Sequence, residues 1–181
     1  MTPNHPLTLH PDCSPGPIEA VSASIEPTEG GCRARFALRG DIGAIKVPGH
    51  THPEREDNLW KTTCFEIFWQ PAKGAYYREF NLSPSSKWAC YDFDGFRLNS
   101  RDAPVESISI ACSATGDELV LEASIASRLP LPAKVALNAI VEDRQGNIQF
   151  WALDFPEGKP EFHSEVCRTI HLESGIMESG R

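Results

Sequence analysis

The stretch LWKTTCFEIFWQPAKGAYYREFNLSPSSKWACYDFDGFR, Leu59–Arg97, decides the fold. It contains three of the four tryptophans and all three tyrosines of the chain. Cys64–Gln70, Tyr76–Leu82 and Trp88–Phe93 are short runs rich in aromatic and apolar residues, and proline, glycine and serine separate them. Runs of this kind between turn residues are typical of β-strands. We therefore predict three strands here, the first two joined by the hairpin loop PAKGA.

The rest of the chain has the same rhythm of short apolar runs and Pro/Gly turns, without internal repeats. No segment combines a sustained 3.6-residue apolar period with helix caps. We predict an all-β sandwich, because many short strands with frequent turn signals favour that architecture over βαβ units. The other predicted strands are Ile18–Glu26, Cys32–Arg39, Ser107–Ser113, Glu118–Ile125, Val135–Glu142, Asn147–Leu153 and Val166–Leu172.

Composition sets limits on partners and location. The chain has 181 residues and a net charge of −8. Nucleic acids and anionic membranes attract basic surfaces, so we expect neither as a partner. The sequence has no apolar run long enough to span a bilayer. Met1–Pro17 lacks the pattern of a signal peptide, so we expect a cytoplasmic protein whose six cysteines are free thiols.

We predict one domain, residues 18–172, between a flexible lead-in, residues 1–17, and a frayed tail, residues 173–181. The composition carries no information on the oligomeric state.

Alternation along the first two strands of the aromatic stretch separates two faces. Glu66 lies on the face opposite Trp69, among apolar neighbours. An ionised carboxylate is costly to bury without a partner, and Arg78 could lie across the ladder from Glu66. Two interpretations stay open: an ion pair between strands, which the spacing favours, and a polar pair on a ligand-binding face.

Several segments carry a family resemblance. LWKTTCFEIFW, YYREFNLSPSSKW and YDFDGFR, with FWALDFP and PEFH later in the chain, resemble bacterial DOMON-like domains. Those domains are similar to family 9 carbohydrate-binding modules. The resemblance covers roughly residues 18–172. It implies a two-sheet, antiparallel, immunoglobulin-like β-sandwich that binds either a sugar or, in some relatives, haem.

The resemblance also implies site residues. In the sugar-binding modules two tryptophans enclose a terminal sugar, and the first precedes a glutamate by six residues, as Trp60 precedes Glu66 here. Trp151 resembles the second tryptophan, and Arg78 resembles an arginine that bonds sugar hydroxyls. Aromatic faces can stack on the C–H face of a sugar ring, and charged groups make strong hydrogen bonds to hydroxyls. The alternative is that both tryptophans pack at the rim of the sandwich.

Three more residues, Asn81, Trp88 and His163, are secondary candidates for the ligand site. If Trp88 does not belong to the ligand site, we assign it, like Trp69, to packing. We therefore expect a non-catalytic module for a carbohydrate or a similar small polar ligand. An interaction or structural module without an open site is the rival hypothesis.

Cofactor sites and catalysis have weaker support. Haem would require axial ligands such as His163 and His171, since both methionines lie near the chain ends. His50 and His52 form an H-x-H pair that could chelate a metal ion if a third ligand were near. No nucleophile motif accompanies a base, so we expect no enzyme and no cofactor.

Overall fold

A computed structural model describes residues 1–175, and in that range the chain forms twelve β-strands, three short 3₁₀ turns and no α-helix. Nearly half of the chain is strand, so the all-β prediction is confirmed. The strands are β1 (His5–Leu9), β2 (Ile18–Thr28), β3 (Gly31–Gly40), β4 (Cys64–Pro71), β5 (Tyr77–Leu82), β6 (Trp88–Phe93), β7 (Arg101–Asp102), β8 (Ser107–Ala114), β9 (Glu118–Ala126), β10 (Ala133–Glu142), β11 (Ile148–Ala152) and β12 (Ile170–Leu172).

The strands pair antiparallel along one continuous path, β7-β6-β5-β4-β10-β11-β1-β2-β3-β9-β8, and β12 pairs with β10 beside it. The sheet is strongly curled. Phe36 of β3 and Phe65 of β4 are far apart along the path, yet their ring centroids are 5.0 Å apart. The prediction of two separate sheets is not confirmed, because β1 pairs with both β2 and β11 and so joins the two halves.

The predicted lead-in is partly wrong, because β1 lies within residues 1–17. Leu7 of this strand is buried in the core, and Leu9 pairs with Trp151 of β11. Five residues that include a proline carry too little strand signal to be recognised alone. The predicted tail has no strand in residues 173–175, and residues 176–181 lie outside the described range.

One apolar core fills the space inside the curl. Alternate residues of the strands point into this core, such as Phe36 of β3 and Ile67 and Trp69 of β4. Trp69 is fully buried, and its indole N–H donates to the carbonyl of Pro130 at 2.9 Å. Four of the six free cysteines are buried: Cys32, Cys64, Cys90 and Cys167. No helix in residues 1–175 is long and apolar enough to cross a membrane.

The strands β4 and β5 are buried on both faces, unlike the edge strand β8. Their inner face belongs to the main core. Their outer face packs against a second apolar cluster, to which Phe93 of β6 and Phe162 and Cys167 of the segment 153–169 contribute. This segment lies over the outer face and leaves a pocket beside it.

Candidate functional site

A pocket with a volume of about 480 Å³ lies on the outer face of the sheet. Its size is in the range of small-molecule sites. Strands β4, β5, β6, β10 and β11 line it, together with the loop 94–100 and the segment 153–169. The lining residues are Trp60, Glu66, Glu79, Asn81, Tyr91, Phe93, Arg97, Ser100, Ile140, Phe150, Pro160, Phe162 and His163.

The strand register places four polar side chains side by side on the outer face of the sheet, and three of them, Glu66, Glu79 and Asn81, line the pocket. Glu66 of β4 lies opposite Asn81 of β5 on one side and opposite Asn138 of β10 on the other. Glu79 follows Asn81 at a spacing of two residues, so both point to the same face. The result is a patch of two carboxylates and two amides within a largely apolar surface.

The two amides are buried without satisfied hydrogen bonds. Asn81 and Asn138 are both 0% exposed, and neither the nitrogen nor the oxygen of either side chain has a partner within residues 1–175. They lie near Glu79 and Glu66, whose ionised forms they favour, but they do not reach normal hydrogen-bond geometry. A buried polar group without a hydrogen-bond partner costs about 1–3 kcal/mol, so these amides favour a ligand that can bond to them.

The two carboxyl groups are also buried. Burial, and next to it the charge of Glu79, raises the pKa of Glu66 well above its usual range. Burial likewise raises the pKa of Glu79 to about 7, although Asn81 and Arg97 oppose the shift. The floor therefore retains protons in the pH range where exposed carboxyl groups have lost them.

A histidine lies beside Glu79, and a tyrosine contacts that histidine. His163 Nε2 lies 3.6 Å from Glu79 Oε2, and His163 Nδ1 lies 2.7 Å from the hydroxyl of Tyr77. Burial lowers the pKa of His163 to about 4, so the imidazole is neutral at physiological pH and does not form an ion pair with Glu79. The Tyr77 hydroxyl also accepts a hydrogen bond from the backbone N–H of Arg97, which ties the loop 94–100 to this wall.

The rim of the pocket combines an ion pair with an exposed indole. Arg97 donates two hydrogen bonds to the Glu161 carboxylate, at 3.1 and 2.8 Å. Trp60 lies on the 3₁₀ turn Leu59–Lys61 and is 50% exposed. An exposed tryptophan beside a concave polar floor offers a flat apolar surface on which a ligand ring can stack.

The raised pKa values predict a specific pH dependence. The folded form of Glu79 binds a proton up to about pH 7, whereas its ordinary pKa is 4.5. Because the folded state binds more protons between these values, this group's contribution to stability falls as pH rises through that window. Glu79→Gln lacks this titration. As the pH is raised from about 5 to about 8, we expect its free energy of unfolding to rise relative to that of the wild type by on the order of 2 kcal/mol. Urea unfolding at both pH values measures this difference, and a difference independent of pH would contradict it.

Four of the predicted site residues line the pocket together: Trp60, Glu66, Asn81 and His163. Trp151 does not. It lies opposite Ala139 on the core face of β11, is 5% exposed and packs in the main core. The prediction that it faces Trp60 across a ligand is therefore wrong.

Arg78 lies on the core side of β5 as well. Its guanidinium makes a bidentate pair with the Asp92 carboxylate, at 2.7 and 2.9 Å, and donates to the Ser127 hydroxyl at 2.8 Å. The prediction that Glu66 meets Arg78 is wrong, because the register places Trp69 opposite Arg78. Arg78 holds strands and loops together and is not available to a ligand in the pocket.

The remaining candidates lie elsewhere. Trp88 is partly buried against the main core and does not line the pocket. The His50 imidazole lies 3.0 Å from the Ser86 hydroxyl. Within residues 1–175, no three or more His, Cys, Asp or Glu side chains lie where they could hold a metal ion together, so His50 and His52 have no such group there.

Several pocket residues were not predicted. Glu79 could have been found from its spacing of two residues from Asn81. Tyr91 lies on the predicted strand β6, opposite Glu79, and could have been found in the same way once that pairing was known. The walls made by Arg97 and Phe162 had no such signal, because they depend on the paths of irregular segments.

Comparison with known proteins agrees on the fold. No family model and no curated protein matches the chain. A solved structure of a candidate carbohydrate-binding protein from Bacteroides uniformis superposes with a TM-score of 0.62 and 14% identity, over 94% of this chain and 84% of that one. A family 9 carbohydrate-binding module from Caldicellulosiruptor kristjanssonii, in complex with cellotriose, superposes with a TM-score of 0.54 and 7% identity, over 87% of this chain and 75% of that one. The chain thus shares its overall fold with these two structures.

Proposed function

We propose that this protein is a non-catalytic module that binds a carbohydrate in the pocket beside Trp60. The observation that carries the proposal is the buried, unsatisfied amide of Asn81 in the pocket, next to two buried carboxyl groups, with a second such amide, Asn138, beside Glu66. Sugar hydroxyls both donate and accept hydrogen bonds, so one sugar ring can satisfy amides and carboxyl groups at the same time. The unsatisfied groups of the free protein then become the binding groups of the complex.

The apolar surfaces of the pocket fit the same ligand. Phe93 and Phe150 form walls beside the polar floor, and Trp60 stands at the rim. A sugar ring has C–H faces that pack on aromatic rings and hydroxyls at its edge. The fold shared with a cellotriose-binding module adds support at the level of architecture.

Calorimetric titration with a panel of neutral di- and trisaccharides, cellotriose among them, tests the proposal. We expect at least one to bind, and Trp60→Ala to weaken that binding about tenfold or more, because buried aromatic contacts of this kind contribute 2 kcal/mol or so. Val166→Ala is the matched control, since Val166 is also an exposed apolar residue but lies outside the pocket. Absence of binding across the panel, or equal binding by Trp60→Ala, would refute the proposal.

A further inference from the structure

Charged side chains converge on the pocket from several segments, and their charges do not balance. Glu66, Glu79 and Glu161 supply three carboxyl groups. Arg97 supplies a guanidinium group close enough to influence them, and Arg168 supplies a second one beside His163. If all five are ionised, the charge of one carboxylate remains without a counterpart.

Both guanidinium groups are already engaged. Arg97 is bidentate with Glu161 at the rim. Arg168 donates to the Gln70 side chain at 3.2 Å and to the His163 carbonyl at 2.9 Å, and it lies 4.3 Å from the ring centre of Tyr77. Among the residues that the structure describes, no lysine or arginine forms an ion pair with Glu66 or Glu79.

The other titratable groups around the floor do not supply the missing positive charge. His163 is neutral, as its pKa of about 4 shows. The Tyr77 hydroxyl contacts His163, and the Tyr91 hydroxyl donates to Asp57 at 2.6 Å. The Cys64 thiol points to the carbonyl of Phe65. The floor is therefore acidic without an internal cation.

Protons on the carboxyl groups would remove the excess charge but would leave the amides unsatisfied. Asn81 and Asn138 are fully buried, and each keeps an unpaired N–H₂ group and an unpaired oxygen. This second feature indicates that a ligand, and not only a proton, completes the floor.

We propose that the pocket selects a sugar that carries a protonated amine, with the ammonium group between Glu66 and Glu79 and the neighbouring hydroxyls on Asn81. This inference rests on the proposed carbohydrate function and specifies its ligand class. An ammonium group donates three hydrogen bonds and brings one positive charge, which is what the floor lacks.

Three trimers distinguish the possibilities: the β-1,4-linked trimer of glucosamine, its fully N-acetylated form and cellotriose. They share a backbone linkage and differ in one substituent on each of the three rings, which is an ammonium, an acetamide or a hydroxyl. Titrations at about pH 7.5 leave Glu79 largely ionised, because its pKa is about 7, and keep roughly half or more of an ordinary amine protonated. We expect the glucosamine trimer to bind at least about tenfold more tightly than either of the others, as a charge-assisted hydrogen bond in a partly buried site implies.

The variant Glu79→Gln keeps the shape of the side chain and removes its charge. We expect it to reduce the ratio of glucosamine-trimer affinity to cellotriose affinity about tenfold. Glu122→Gln, an exposed residue outside the pocket, is the control and should keep the wild-type ratio.

Equal or tighter binding of cellotriose by the wild type would overturn the amine preference alone and leave the proposed function intact. An unchanged ratio in Glu79→Gln would overturn the assigned position of the ammonium group. Failure of all three trimers, and of the neutral panel, would overturn the proposed function and this inference together.

Discussion

Trp151→Ala should lower the free energy of unfolding by about 3–5 kcal/mol, because it removes a large side chain from a close-packed core and leaves a cavity. Trp151 is 5% exposed and packs with the apolar residues inside the curl of the sheet. Denaturant unfolding followed by circular dichroism measures the loss. The effect bears on the site directly, since a tryptophan enclosing a ligand in an open cleft would show little of it.

Trp60→Ala is the matched control for this experiment. Trp60 is half exposed on a 3₁₀ turn, so its truncation should change the free energy of unfolding by no more than about 0.5 kcal/mol. A loss of stability in Trp60→Ala equal to that in Trp151→Ala would contradict the assignment of one tryptophan to the pocket and the other to the core.

Arg78→Met should cost a similar amount, about 3–5 kcal/mol, because it leaves the buried carboxylate of Asp92 without its guanidinium partner. Arg78 and Asp92 are both nearly inaccessible, and their pair is bidentate. Thermal and denaturant unfolding measure the loss. Arg35→Ala breaks an exposed pair with Glu122 in the same sheet and should cost less than about 1 kcal/mol.

The same variant separates structure from binding. Because Arg78 faces the core, the folded fraction of Arg78→Met should keep its affinity for any sugar that the wild type binds. A large loss of affinity at normal stability would instead place Arg78 in the site and contradict the register described above.

Sequence alone predicted the strands of the aromatic stretch closely. Trp88–Phe93 is a strand with the predicted bounds, and the predicted Cys64–Gln70 and Tyr76–Leu82 differ from β4 and β5 by one residue each. Alternation also predicted correctly that Glu66 lies on the face of its strand opposite Trp69. These predictions succeeded because strand bounds and the alternation of faces depend on local patterns, which can be seen in the sequence itself.

Predictions that depended on register failed. Glu66 meets Asn81 rather than Arg78, and a shift of one residue in pairing changes which face each side chain reaches. Nothing in the PAKGA loop fixes that register uniquely. The same holds for Trp151, because β11 has large apolar residues on both faces: Phe150 lies on the pocket side and Trp151 on the core side.

The walls of the pocket were beyond prediction for a different reason. Phe162 belongs to the segment 153–169, which has no strand and folds back over the outer face of the sheet. Arg97 belongs to the loop 94–100. The position of an irregular segment depends on tertiary packing, so no period in the sequence reports it.

The most direct test of the central claim, that a sugar binds beside Trp60, uses the four indole N–H resonances of ¹⁵N-labelled protein. Spectra are recorded during titration with the glucosamine trimer and with cellotriose. We predict that the Trp60 resonance shifts with saturation, while those of Trp69, Trp88 and Trp151 stay in place. A shift of the Trp151 resonance with the Trp60 resonance unchanged would contradict the account.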